Sequence, residues 1–159
     1  MRIRLLNVPL AAIVTVVALA IVAGSASATA PSGTTTELVA RATLTGGYKA
    51  HVHGVKVKIK GPVDVAVVHV AFQPGGTLGW HSHPGATFVM VKSGTVTRVN
   101  SDNCASESFS AGQGFFEEPN DVHVALNKSS EPAETYVTFI VPVGAPLRVD
   151  EPAPPNCTP

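Results

Sequence analysis

The sequence predicts an all-β domain, and three observations lead there. Past residue 28 no segment holds apolar residues at helical spacing for ten residues or more. Short runs rich in Val, Thr, Phe and Ile dominate instead. Gly and Pro turn signals stand between those runs at intervals typical of a sandwich or barrel.

Residues 1–28 are set apart from this pattern. Arg2 and Arg4 form a basic start, positions 8–23 are apolar apart from Thr15, and Ala26-Ser27-Ala28 is a small-x-small cleavage sequence. This is the layout of a secretory signal peptide. The apolar stretch contains a proline and is shorter than the roughly 20 residues a membrane-spanning helix needs. Cleavage is therefore expected over retention as an anchor, with secretion or another extracytoplasmic destination. Residues 29–36 (TAPSGTTT) read as a flexible leader.

The β domain is expected over residues 37–149. Its strand signals are YKAHVH (48–53), VKVKIK (55–60), VDVAVVHVAF (63–72), TFVMVK (87–92), TVTRVN (95–100), DVHVALN (121–127) and TYVTFIV (135–141). Gly61-Pro62, Pro74-Gly75-Gly76, Pro84-Gly85, Ser93-Gly94 and Pro119-Asn120-Asp121 punctuate them. The lysines of VKVKIK alternate with Val and Ile, which is a strand with one solvated face, not a basic patch. Residues 150–159 form a Pro-rich strap, and no repeat or second domain is visible.

Removal of Arg2 and Arg4 leaves nine Lys/Arg against eleven Asp/Glu, a formal charge of −2. Nothing in this balance suggests nucleic acid or, after signal cleavage, a membrane as partner. Cys104 and Cys157 are the only cysteines. In an oxidising compartment an isolated pair is expected to form a disulfide. That bond would pin the strap to the loop around Asn103 and add about 4 kcal/mol on chain-entropy grounds.

Histidines carry the functional signal. His81 and His83 lie two apart in GWHSHPGATF (79–88), so on a strand their rings share a face. Gly79 shares that face and leaves space beside the rings, while Pro84 restricts His83 to extended backbone angles. His123, Ala125 and Asn127 share a face of a later strand, which makes His123 a third donor from a facing segment. Three imidazoles with open positions suit a first-row divalent metal such as Fe, Mn, Zn, Cu or Ni. His51 and His53 have the same spacing without this context and read as edge-strand surface. His69, between apolar residues, reads as a satisfied or pocket-lining histidine.

The order Gly75-x5-His81-x-His83-x3-Thr87-x6-Gly94 resembles the first motif of the cupin superfamily, with Thr87 where a glutamate normally stands. GQGFFEEPNDVHVALN (112–127) resembles the second motif: Gly112, His123 and Asn127 keep the spacing, the proline is displaced to Pro119, and Asn120 takes the turn position usually held by glycine. The chain is similar to small exported bacterial cupins. This implies a single cupin barrel (a double-stranded β-helix, or jelly roll), with one divalent metal held by His81, His83 and His123. Thr87 and Asn127 would then support the site or line its pocket. The resemblance also implies a small-molecule ligand and pairing of two copies through an edge strand.

The missing glutamate leaves two readings of the site. Glu117 and Glu118 just precede His123, and both are expected at a strand end in solvent; the alternative turns one inward, with Glu118 the candidate base. Without a carboxylate the ion keeps its full charge and favours anionic groups. Thiol and diketone dioxygenases of the cupin class work with three histidines alone, so the resemblance still allows metal-dependent oxidation or another Lewis-acid reaction on a small anionic molecule. The other reading is a non-catalytic module that holds a small ligand or a metal.

Overall fold

The computed structural model describes residues 28–157. The signal-peptide reading of the N-terminus lies outside the described residues, apart from Ala28.

The described residues form eleven strands and contain no helix long and apolar enough to cross a membrane. They are β1 (Ser32–Leu44), β2 (Tyr48–Val52), β3 (Val55–Ile59), β4 (Val63–Ser82), β5 (Ala86–Ser93), β6 (Thr95–Asn100), β7 (Ser106–Ser110), β8 (Gly114–Glu117), β9 (His123–Leu126), β10 (Ala133–Pro142) and β11 (Val149–Asp150). Nine of them share one sheet that runs β7-β6-β9-β4-β10-β5-β8, with β1 and β11 also paired to β4. The long β4 serves two layers. Its first half pairs with β1 and β10, and its second half with β9 and β11. The result is the antiparallel barrel expected from the sequence.

Strict alternation along β4 makes the inside of the barrel. Ala66, Val68, Val70 and Phe72 are buried, while the residues between them are partly exposed. They pack with Val89, Val96, Val137 and Phe139 from the other strands. Each fully buried Val or Phe contributes about 2 kcal/mol of transfer free energy, so this interior anchors the fold. A second cluster of Trp80, Val99, Val124 and Cys157 covers the outer face of the β4-β9-β6 layer. That layer is buried on both faces because the C-terminal strap lies over it. The Cys104–Cys157 disulfide, with Cα atoms 5.3 Å apart, ties the strap down.

Three local readings need correction. Residues 32–36, read as flexible leader, belong to β1, where Thr34, Thr35 and Thr36 pair with Phe72, Ala71 and Val70. Threonine favours extended structure, and the β4 edge supplies backbone partners that no sequence window reveals. His53 is a turn residue: His53 and Gly54 both have positive φ, joining β2 to β3 by a two-residue hairpin loop. This exposed hairpin is a separate two-stranded sheet. Gly79 does not open space beside the rings. Its φ is +70°, and a Cβ there would lie 2.2 Å from the Thr29 carbonyl oxygen. The glycine admits the incoming N-terminal chain, whose Thr29 hydroxyl accepts from Trp80 N at 2.6 Å.

Asp64 locks β1 onto the barrel. It accepts from Thr43 Oγ1 (2.6 Å), Arg41 Nη2 (2.6 Å) and Gly144 N (2.9 Å). The Thr43 hydroxyl first, then Gly144 N and Arg41, outweigh desolvation and lower its pKa to about 2 from 3.8. A depressed folded-state pKa gives stability that is complete above the ordinary value and lost as pH falls from about 4 towards 2. Asp64→Asn should lower the Tm by several degrees at neutral pH and remove that segment of the acid-unfolding profile. Thermal melts between pH 2 and 7 with an unchanged profile would contradict this role.

Candidate metal centre

The three histidines singled out in the sequence meet. His81 on β4 is the direct cross-strand partner of His123 on β9. Ring centroids are 4.4 Å apart for His81–His123, 4.9 Å for His81–His83 and 5.2 Å for His83–His123. One nitrogen from each ring lies within 4.8 Å of the other two. All three residues are buried, at 2%, 4% and 0% exposure.

The remaining ring nitrogens fix the tautomer. Nδ1 of His81 contacts Gly79 O at 2.8 Å, Nδ1 of His83 contacts Leu147 O at 2.7 Å, and Nδ1 of His123 contacts Asp121 O at 2.9 Å. A carbonyl oxygen only accepts, so each neutral ring carries its proton on Nδ1 and keeps a lone pair on Nε2. Such a hydrogen bond on the far nitrogen is the usual support of a metal-binding imidazole. Burial, then the charges of His123, His83 and Arg148, hold the His81 pKa well below 6.5, so this ring stays neutral at physiological pH.

Glu117 adds a carboxylate beside two of these rings. It ends β8, is 3% exposed, and places Oε1 2.9 Å from His123 Nε2 and Oε2 3.2 Å from His83 Nε2. Burial would raise its pKa, but His123 and His83, when they carry a proton on Nε2, outweigh burial and hold the carboxyl below the ordinary carboxylate range. Arg98 Nε stands 4.0 Å behind it. The register explains how Glu117 replaces the motif glutamate: it is the cross-strand partner of Thr87. The carboxylate stands one strand over from the motif position, beside His83 and His123.

These residues fit a divalent transition metal. Nε2 of His123 is buried and, despite the nearby Glu117 oxygen, makes no well-directed hydrogen bond among the described residues. A nitrogen lone pair facing an ionised carboxylate is unfavourable unless a cation lies between them. Three imidazole nitrogens and one carboxylate oxygen are the donor chemistry of first-row metal sites.

The site heads a cavity of about 130 Å³ inside the barrel. His81, His83, Glu117 and Arg148 line its polar end, and residues such as Val70, Phe72, Val89, Phe115 and Phe139 its walls. The segment leading into the strap contributes twice at this end, through the Leu147 carbonyl on His83 and through Arg148.

Other expected site residues lie elsewhere. Glu118, the candidate base, is exposed just past the end of β8. His69 is on the outer face of β4, with Nε2 2.8 Å from Glu134 Oε2, because the inward positions there are its neighbours Val68 and Val70. Thr87 and Asn127 are fully buried but do not line the cavity. The Thr87 hydroxyl approaches Gly85 O at 3.4 Å, and Asn127 ties its own loop through Glu131 O and Ser129. Asn120 has φ +63° in the turn before His123, and its N–H donates to His83 O at 2.8 Å. The turn position therefore works without glycine.

The family model for the cupin domain matches residues 68–139, a segment that contains the three histidines and Glu117. That segment is a cupin domain. Among solved structures, this cupin is similar to a conserved protein with a double-stranded β-helix domain from Klebsiella pneumoniae (26% identity, TM-score 0.47, 54% of this chain and 73% of that one). A cupin-like protein from Thermotoga maritima gives 21% identity and a TM-score of 0.48 over 56% of this chain and 65% of that one. An oxalate oxidase in complex with glycolate gives 28% identity and a TM-score of 0.47 over 54% and 45%. The cupin thus spans less than two thirds of the latter two chains. No curated protein matches it.

Proposed function

We propose that this protein is an exported single-domain cupin that holds one divalent transition metal with His81, His83, His123 and Glu117. We propose further that it acts on a small anionic organic molecule by metal-dependent oxidation or another Lewis-acid reaction. The observation that carries this reading is the convergence of three lone-pair nitrogens and one buried, ionised carboxylate at the head of an otherwise apolar cavity. A bound ion supplies Lewis acidity and, where the metal is redox-active, electron-transfer chemistry. The chain supplies the rest. Backbone carbonyls at Gly79, Leu147 and Asp121 hold the rings in the liganding tautomer. Glu117 offsets one unit of metal charge, and the apolar wall limits the water that reaches the site. Export is supported by the basic-apolar-small pattern of the N-terminus and by the Cys104–Cys157 bond, since disulfides persist in oxidising compartments.

The test joins metal analysis with an activity screen. Protein purified from the compartment to which it is exported should carry about one divalent ion per chain, as a single-ion site requires. Oxygen uptake should appear with at least one class among thiols, diketones and phenolic acids. Metal-loaded protein that is inert across the panel would contradict the oxidative reading and leave a ligand- or metal-binding module.

A further inference from the structure

We propose that Arg148, just before the C-terminal strap, is the recognition group for a carboxylate on the ligand, and that the ligand is a small monocarboxylate with an apolar body. This rests on the reading of the cavity as the ligand site and deepens it by naming the ligand class.

The register of β11 on β4 pairs Val149 with Ser82, so Arg148 comes alongside His83. Its side chain lines the same cavity end as His81, His83 and Glu117. Nε is satisfied by Asp150 Oδ1 at 2.6 Å. Nη1 and Nη2 are both shielded from solvent and have no hydrogen-bond partner among the described residues. Buried guanidinium nitrogens without acceptors are costly, and such groups are normally paired. Glu117, the buried acid of the site, lies against His83, His123 and, at 4.0 Å, Arg98, and none of its contacts is with Arg148. The free pair of nitrogens therefore calls for an acceptor that arrives with the ligand. Two parallel N–H donors match the two oxygens of a carboxylate.

The remaining walls set the rest of the ligand. Thr36 and Thr135 are the only other polar side chains on the lining, which is otherwise Val, Phe, Leu and Ala apart from the donor set. A phosphate dianion would need more donors than one arginine offers in such surroundings. The volume of about 130 Å³ is close to the roughly 150 Å³ of an apolar cavity known to take benzene. A benzene-sized or branched aliphatic body with one carboxylate fits both size and polarity.

Benzoate and its neutral isostere benzamide are suitable probes. They would be titrated calorimetrically into metal-free and zinc-loaded protein with the disulfide intact, using wild type, Arg148→Gln and Arg148→Lys. A charge-assisted bidentate pair should make wild type prefer benzoate by about tenfold or more, in the metal-free protein as well. Arg148→Gln should abolish the preference while zinc content and benzamide affinity stay unchanged; Arg148→Lys should keep part of the preference. A wild type that does not prefer benzoate, or an Arg148→Gln variant that still does, overturns the proposal. Failure of the metal reading would appear separately, as protein that takes up no zinc yet keeps the benzoate preference.

Discussion

Glu117→Gln is expected to lower divalent-metal affinity by at least about 100-fold, beyond the 10- to 100-fold typical of losing an outer-shell support. The substitution keeps the shape of the side chain and removes its charge. Three neutral imidazoles would then leave the ion's full +2 charge in a buried site, where an uncompensated charge is expensive. The neighbouring Glu118→Gln should leave affinity unchanged, because Glu118 is exposed beyond the end of β8. Thr87 and Glu117 face each other across the ladder. Adding Thr87→Glu to Glu117→Gln should therefore recover part of the lost affinity by returning the carboxylate to its usual strand. Competition titration against a metal-binding dye measures all four proteins. Wild-type affinity in Glu117→Gln would remove the carboxylate from the site.

His83→Ala and His123→Ala should each reduce bound metal from about one ion per chain to a small fraction of that, since each removes one of only three imidazole donors and leaves an incomplete site. His69→Ala is the matched control. Its ring lies on the outer face of the barrel against Glu134, so metal content should not change. Elemental analysis of the purified variants, with thermal melts to verify folding, gives the answer. Metal retained in a folded His83→Ala protein would break the ligand assignment.

The fold and most of the site were legible in the sequence for local reasons. Alternation in 63–72 and the Gly/Pro punctuation follow from strand geometry and turn chemistry, which act within a few residues. The spacing of His81 and His83 likewise makes a shared face unavoidable once the strand is assigned. What stayed hidden depends on register between distant segments. The inward turn of Glu117 follows from its pairing with Thr87, thirty positions earlier in the chain. Alternation in GFFEEP (114–119) shows that Glu117 and Glu118 oppose each other but not which one faces the barrel. Arg148 carries no signal in the sequence, because its place beside His83 is set by a two-residue strand and a disulfide nine residues on. His69 looked internal because its neighbours are apolar on both sides, yet β4 is flanked by β1 and β10 and alternation sends the ring outward.

The most direct test is a crystal structure of the zinc-loaded protein with diffraction data at the zinc edge. The expected result is a single anomalous peak at roughly 2.0–2.2 Å from Nε2 of His81, His83 and His123 and from a carboxylate oxygen of Glu117. A peak elsewhere, or one bound by the rings with Glu117 turned away, would contradict the four-donor centre.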